Sequence, residues 1–449
     1  MTEVIKQTQA VVFLPGIMGS VLKRDAEVIW PGSVTSVLLP YNRMADLMRP
    51  ELVATDVWRK LGPFDVYDSL LTDLENWGFK PGETLFPFPY DWRKSNGTAA
   101  QQLADLVDKI TAQHNGDVVI TLLAHSMGGL VARYYLESAA FANRPGFSKV
   151  TNLFTMGTPH RGAPLALTAG LGMEKRVFLS ASQVLQLVSD ARFPAVYELL
   201  PPLGEPFLWN NAGKHDPQDV YSQKIATDPG GLNLNASNLQ AAQTFRLGLD
   251  FVRKPASVRY FSFYGTDHPT SAYLTLNISA KDQVRSFVLD KAGDGTVPIW
   301  SGQPNGIQSM PVPGEHSKLF RGDALRNMLI ELLGAPTRLA AEITVELSLS
   351  PKVIEPANLV HASLVFPNAP SSIQGTITVF RLQLDEKGEQ IGEAPLGIPI
   401  NINYYGGSAE AITITFDAPN LRGYYRARFQ ATGMNSAEDE FVVQDPLDK

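Results

Sequence analysis

The chain has no cysteine and is sparing with charge: of 449 residues none is Cys, and 18% are Asp, Glu, Lys or Arg. Without a thiol there is no disulfide framework, no Cys-ligated metal or iron–sulfur cluster, and no thiol nucleophile. Lys and Arg total 38 against 45 Asp and Glu, a formal charge of −7. No long basic run interrupts that balance, and displacing counterions from a phosphate backbone needs concentrated positive charge, so nucleic acid is excluded as a partner. Long apolar runs are missing too. No stretch approaches the roughly 18 residues of a spanning helix, and the five-residue apolar run before Pro15-Gly16 is too short for a signal-peptide core. The expectation is a cytoplasmic globular protein whose membrane contact, if it has one, is peripheral. The seven histidines show no H-x-x-x-H spacing, so neither metal nor cofactor is expected.

What is present changes character near residue 340. Before it, short apolar runs alternate with segments of helical period, the mark of βαβ units feeding a mostly parallel sheet. Strands are expected at Ala10 to Leu14, Asp117 to Leu123, Thr151 to Met156 and Val258 to Tyr264. Helices are expected from Met127 to Glu137 and from Thr98 to Gln113, the latter with Thr98 and Gln101 spaced as a capping box and Leu103, Leu106, Val107 and Ile110 on one face. Residues 163–249 are apolar and proline-rich but lack the strand–helix unit, which reads as an inserted cap. From Glu342 and Ile343 the period becomes two, with about seven short strands. The run Gly375 to Leu384 changes phase between Val379 and Phe380, as at a β-bulge, and Tyr424 or Tyr425 is a candidate tyrosine corner. The expected organisation is an α/β domain with a mostly parallel sheet over 1–338, with the cap at about 163–249, and an immunoglobulin-like β-sandwich over 339–449.

The hexapeptide Ala124-His125-Ser126-Met127-Gly128-Gly129 sits between an apolar strand and a helix. A serine hydroxyl attacks well only when lifted clear of the sheet, faced by a base and set beside backbone N–H donors at a helix N-terminus. Ala124 and Gly128 are the small residues such a tight elbow requires. Such an elbow points to an α/β-hydrolase fold, in which the acid and then the base follow the serine. His114 and His125 precede it, His361 lies in the β-rich part, His160 sits in a turn that suits a structural role, and His215 lies in the cap. His316, in the loop before the last helix, suits the base. Asp294, in Gly293-Asp294-Gly295, suits the acid, with Asp267 and His268 as an alternative pair. A second oxyanion donor is expected from the loop after the first strand, pairing the Ile17 amide with that of Met127.

Val12 to Ser20, Tyr90-Asp91-Trp92-Arg93, the elbow, Gly293 to Pro298 and Glu315-His316-Ser317, with Phe193 to Pro201 in the cap, resemble the lecithin:cholesterol acyltransferase family, which includes lysosomal phospholipase A2. The likeness covers about residues 10 to 330. It implies Ser126 as nucleophile, Asp294 and His316 as its partners, Ile17 and Met127 as oxyanion donors, and Trp92 near the acyl pocket. Asp91 and Arg93 read better as a structural ion pair. The expected function is a serine ester hydrolase of acyl lipids or phospholipids, working through an acyl-enzyme that water or an alcohol resolves. Alternatives are a carboxylesterase for smaller esters, or a partner-regulated, membrane-targeting effector whose β-sandwich binds a protein.

Overall fold

The computed structural model describes residues 7–34, 36–210, 216–277, 283–335 and 344–446. Six strands form the central sheet: β1 (Thr8–Leu14), β2 (Leu85–Pro87), β3 (Val118–His125), β4 (Val150–Met156), β5 (Arg259–Thr266) and β6 (Gln308–Pro313). They lie in the order β6-β5-β4-β3-β1-β2, all parallel. Residues 10–14 are a continuous apolar run because both faces of the sheet are covered. Ala10, Val12 and Leu14 enter one core with Ile120 and Leu122, while Val11 and Phe13 enter the other with Leu123, Phe154 and Phe263. The chain goes from β1 to β2 on one side and returns to β3 on the other. That reversal opens a crevice beyond the carboxyl ends of β1 and β3, where ligands of open α/β sheets bind.

The four strands expected from the sequence are present, and β2 and β6 add to them. Pro87 in β2 and Pro311 and Pro313 in β6 hide these segments from a strand reading. Both are edge strands, where a missing N–H need not break the ladder. Helix α1 (Asn96–Gln113) starts two residues before Thr98, so the capping box expected at Thr98 and Gln101 is corrected to a cap at Ser95. Ser95 Oγ accepts from the Gly97 amide at 3.2 Å and donates to Glu198 at 2.6 Å, and the other Glu198 oxygen accepts from the Asn96 amide at 2.7 Å. A carboxylate brought from about 100 residues further along the chain thus meets the positive end of the helix, although burial pushes the Glu198 carboxyl up to about 7. Helix α2 (Met127–Glu137) follows β3, and α3 (Asp323–Leu333) follows the loop bearing His316.

Between 163 and 249 the described residues form short helices, including Ala181–Val188 and Ala236–Leu247, and one short strand, Leu208–Asn210. That strand pairs with a hairpin the sequence reading did not foresee, His268–Leu276 with Val284–Gly293. His215 lies outside the described residues.

The C-terminal part contains a three-stranded antiparallel sheet (Glu346–Ser350, Leu359–Val365, Ala411–Asp417) and a five-stranded sheet (Val353–Ile354, Ser372–Leu384, Gln390–Tyr405, Gly423–Ala431, Ala437–Val443). Leu347, Leu349, Val360 and Leu364 from the first share a core with Ile377, Phe429 and Phe441 from the second. Glu342 and Ile343 lie outside the described residues. The pairing register of Ser372–Leu384 shifts between Ile377 and Val379, immediately before the expected phase change. Tyr425 makes the corner, its hydroxyl donating to the Leu421 carbonyl at 2.6 Å. Tyr424 faces the other way, donating to the Val34 carbonyl at 2.5 Å, and Gln444 donates to the Val37 carbonyl at 2.9 Å. Among the described residues no helix is long and apolar enough to cross a membrane.

Candidate active site

Ser126 stands at the junction of β3 and α2 with φ 53° and ψ −125°, a conformation that costs a non-glycine residue about 1–3 kcal/mol. Its surroundings hold it there. The Ser126 amide donates to the Met156 carbonyl at 2.8 Å, and its carbonyl accepts from the Gly129 amide at 3.0 Å and the Thr158 hydroxyl at 2.9 Å. A Cβ on Gly128 would lie 2.5 Å from the Pro15 carbonyl oxygen, and one on Gly16 would lie 2.9 Å from Ser126 Cβ. Only glycine lets the first turn of α2 and the loop after β1 come this close. Ile17 follows Gly16 in that loop and Met127 is the first residue of α2, where helix amides have no intrahelical acceptor. The contact between loop and serine is thus a feature of the fold that sequence spacing alone could not supply.

His316 Nε2 lies 2.9 Å from Ser126 Oγ, and His316 Nδ1 lies 2.8 Å from Asp294 Oδ2. The other Asp294 oxygen accepts from the amides of Val297 at 2.7 Å and Thr296 at 2.9 Å. Asp294 is fully buried. Burial opposes its ionisation, but the His316 charge, the His316 hydrogen bond and the two amides outweigh it and hold the carboxyl below its ordinary value. At His316 burial likewise disfavours the charged ring, and the charge and hydrogen bond of Asp294 reverse the balance, raising it above the ordinary imidazole value. The pair is therefore built to favour an imidazolium, the species a histidine becomes after taking a serine proton.

His125 and Tyr67 complete the site in a way the sequence reading missed. The His316 carbonyl accepts only, so His125 Nε2, 2.9 Å away, carries the proton and His125 Nδ1 accepts from the Tyr67 hydroxyl at 2.7 Å. The Tyr67 oxygen accepts in turn from the Gly16 amide at 2.9 Å. Burial first, and His316 second, push the His125 pKa down to about 3, which keeps the ring neutral and the tautomer fixed. One chain of hydrogen bonds thus joins the loop of Ile17, the elbow of Ser126 and the backbone of His316. His125 precedes the serine, which disqualifies it as the base but not as a brace. Tyr67 carries no motif at all.

The other expectations divide. Asp267 accepts from its neighbour Thr266 at 2.8 Å and lies 3.7 Å from Lys291, so it does not form a dyad with His268, whose Nε2 has no hydrogen-bond partner. His160 bonds to Thr155 and Ser262, both at 3.2 Å. Arg93 clasps Asp91 at 2.8 and 2.7 Å and donates to the Arg49 carbonyl at 2.8 Å, the structural pair expected. Trp92 is buried with its ring 5.4 Å from that of Trp30, in a cluster that includes Trp58 and Phe178. Trp58 and Phe178 line a cavity of about 670 Å³ that also reaches Tyr67 and His125; Trp92 lies behind that wall. Among the described residues no group of three or more His, Asp or Glu is arranged to hold a metal ion.

Residues 54–245 match the family model described as lecithin:cholesterol acyltransferase. The chain is 26% identical over 356 residues to lecithin-cholesterol acyltransferase-like 4 of Arabidopsis thaliana, covering 66% of this chain and 63% of that one. It is 24% identical over 323 residues to phospholipase A(1) LCAT3 of the same plant, covering 61% of this chain and 71% of the relative. It is also 28% identical over 104 residues to the lysosomal phospholipase A and acyltransferase of Homo sapiens, 22% of this chain and 24% of that one. A chain in the crystal structure of the Tle4–Tli4 complex superposes with a TM-score of 0.52 at 15% identity, covering 75% of this chain and 100% of its own, a likeness of fold alone.

Proposed function

We propose that this lecithin:cholesterol acyltransferase-like protein is a serine hydrolase of acyl-lipid esters, and that Ser126, His316 and Asp294 carry out the reaction. The observation that carries the reading is the unbroken chain Ser126 Oγ–His316–Asp294, with contacts of 2.9 and 2.8 Å, on a backbone held at φ 53°. His316 takes the Ser126 proton as the oxygen attacks the acyl carbonyl, Asp294 steadies the imidazolium, and the Ile17 and Met127 amides receive the oxyanion. Collapse of the tetrahedral intermediate returns the proton to the leaving alcohol and leaves an acyl-enzyme. Water, activated by His316, then releases the fatty acid; a lipid alcohol in its place would give acyl transfer. Trp92 backs the aromatic wall on which an acyl chain would lie.

The same reading assigns residues 1–338 to an α/β-hydrolase domain with its cap at about 163–249, and residues 339–449 to an accessory immunoglobulin-like β-sandwich. It places the protein in the cytoplasm, meeting membranes peripherally to reach its substrate. The relatives named above as phospholipases support the substrate class. The test is lipid mass spectrometry of phospholipid liposomes incubated with a long-chain alcohol and either the wild type or Ser126→Ala. Serine-dependent fatty acid is the expected product, and serine-dependent alcohol ester would add transfer. Absence of both from the wild type would overturn the reading.

A further inference from the structure

His316 opens a short 3₁₀ helix, His316–Arg321, that is held in two ways. Leu319 and Phe320 enter the core on one face of the central sheet, which they share with Phe263 and Val312. Lys318 and Arg321 instead carry charge to other elements. Arg321 meets Asp65 at 2.8 Å. Lys318, two residues past the histidine, pairs with Asp439 on the strand Ala437–Val443 of the C-terminal five-stranded sheet. The segment bearing His316 is thus tied by an ion pair to nearly the far end of the chain.

Both members of that pair are buried, Lys318 with 8% of its surface exposed and Asp439 with 1%. Asp439 is itself fixed, accepting from the amides of Glu440 at 2.8 Å and Leu349 at 2.6 Å and pairing also with Lys352. Lys352 keeps 25% of its side chain in solvent and can turn to water if the carboxylate is lost. Lys318 has no such exit unless its backbone moves. A buried ammonium stripped of its carboxylate is strongly destabilising, so the segment would shift to hydrate it. That shift reaches His316 directly. Its amide donates to the Asp294 carbonyl at 2.9 Å, its carbonyl accepts from His125 at 2.9 Å, and its ring spans Asp294 and Ser126 with contacts of 2.8 and 2.9 Å. Reacting groups displaced by about 1 Å lose about 100-fold in rate.

We propose that Asp439 is a positioning residue for His316, holding the imidazole against Ser126 through Lys318. The C-terminal sheets are then a working part of the hydrolytic machinery. This rests on the reading of Ser126 and His316 as nucleophile and base, but not on the identity of the substrate.

The test uses the full chain and a fluorophosphonate, which captures an activated serine whatever ester that serine serves. Mass spectrometry follows the rate of modification at Ser126 in the wild type, Asp439→Asn, Lys318→Met and the double variant, and thermal melting checks that each is folded. Asp439→Asn should react about 100-fold more slowly. Lys318→Met leaves Asp439 matched to Lys352 and removes only the tether, for a loss of about tenfold. In the double variant no charge is stranded, so the rate should recover to that of Lys318→Met. A role confined to the C-terminal sheets, through Leu349 and Lys352, would give no such rescue, and the two losses would multiply. A folded Asp439→Asn that reacts as fast as the wild type overturns the proposal, as does a double variant slower than either single one. If Asp439→Asn does not fold, Lys318→Met decides: a wild-type rate overturns the proposal and a tenfold loss supports it. A wild type that does not react at Ser126 overturns the proposal together with the triad. One that reacts, yet releases no fatty acid from liposomes, removes the acyl-lipid reading alone, and the rates of the variants still decide the role of Asp439.

Discussion

The elbow at Ser126 and the corner at Tyr425 both fix the end of a β-strand, and they do so by opposite means. At the elbow three backbone segments crowd together, and the space a Cβ would need at Gly128 or Gly16 is already occupied. At the corner a single hydroxyl bridges four residues to the Leu421 carbonyl, with the ring buried against Phe441. The first arrangement depends on what is absent from the side chains, the second on one atom that is present. Crowded backbone transmits any error straight to the serine, whereas a hydrogen-bonded corner can lose its bond and keep its packing.

That contrast sets the expected scale of each perturbation. Ser126→Ala should abolish hydrolysis, a fall of about 10⁴–10⁶-fold in kcat with the melting temperature nearly unchanged, as read by fatty-acid release and calorimetry. Gly128→Ala forces α2 away from the Pro15 carbonyl, so activity should drop about 100-fold and stability by about 1–3 kcal/mol in denaturant unfolding. A variant as active and stable as the wild type would show that the crowding has slack. Tyr67→Phe removes the one atom shared by Gly16 and His125. The expected result is about a tenfold loss in kcat with KM within twofold, a split that simple destabilisation would not give. Tyr425→Phe should cost about 1 kcal/mol of stability and leave kcat/KM alone; a loss of activity would mean the C-terminal core reaches the site more directly than its packing implies.

The pH dependence sharpens the same picture. On the proposed mechanism His316 must be neutral to take the serine proton, and Asp294 raises its pKa above the ordinary imidazole value against the opposing effect of burial. The acid limb of kcat/KM should therefore have its midpoint above about 6.5. Activity is low below that midpoint and rises with pH through it. His125 should contribute no limb near neutrality, because its pKa of about 3 leaves it uncharged throughout.

Much of the site is legible in the sequence because its grammar is local. Ser126 announces itself by the strand before it, the helix after it and Gly128 between, and the order of Asp294 and His316 along the chain follows from the fold. What could not be read depends on partners far apart in the chain. Tyr67 meets His125 across 58 residues, and His125 meets the His316 carbonyl across 191. No periodicity encodes such pairs. Glu198 displaced the expected cap of α1 for the same reason, arriving from 103 residues away to bond Ser95. The prolines of β2 and β6 misled in another way, since they forbid an inner strand but suit an edge. In the C-terminal part the two-residue alternation marks several strands, because each needs only one buried face, but it passes over Gln390–Tyr405, whose residues are mostly exposed, and Ala437–Val443.

The span of chain between Ser126 and its partners has a consequence for biosynthesis. On the proposed mechanism, while residues 1 to 290 leave the ribosome neither Asp294 nor His316 exists to activate the serine. The segment carrying His316 is in turn pinned through Lys318 to Asp439, on one of the last strands to be made. A chain truncated before that strand keeps Ser126, Asp294 and His316 but loses the Asp439 anchor of the segment that carries the histidine.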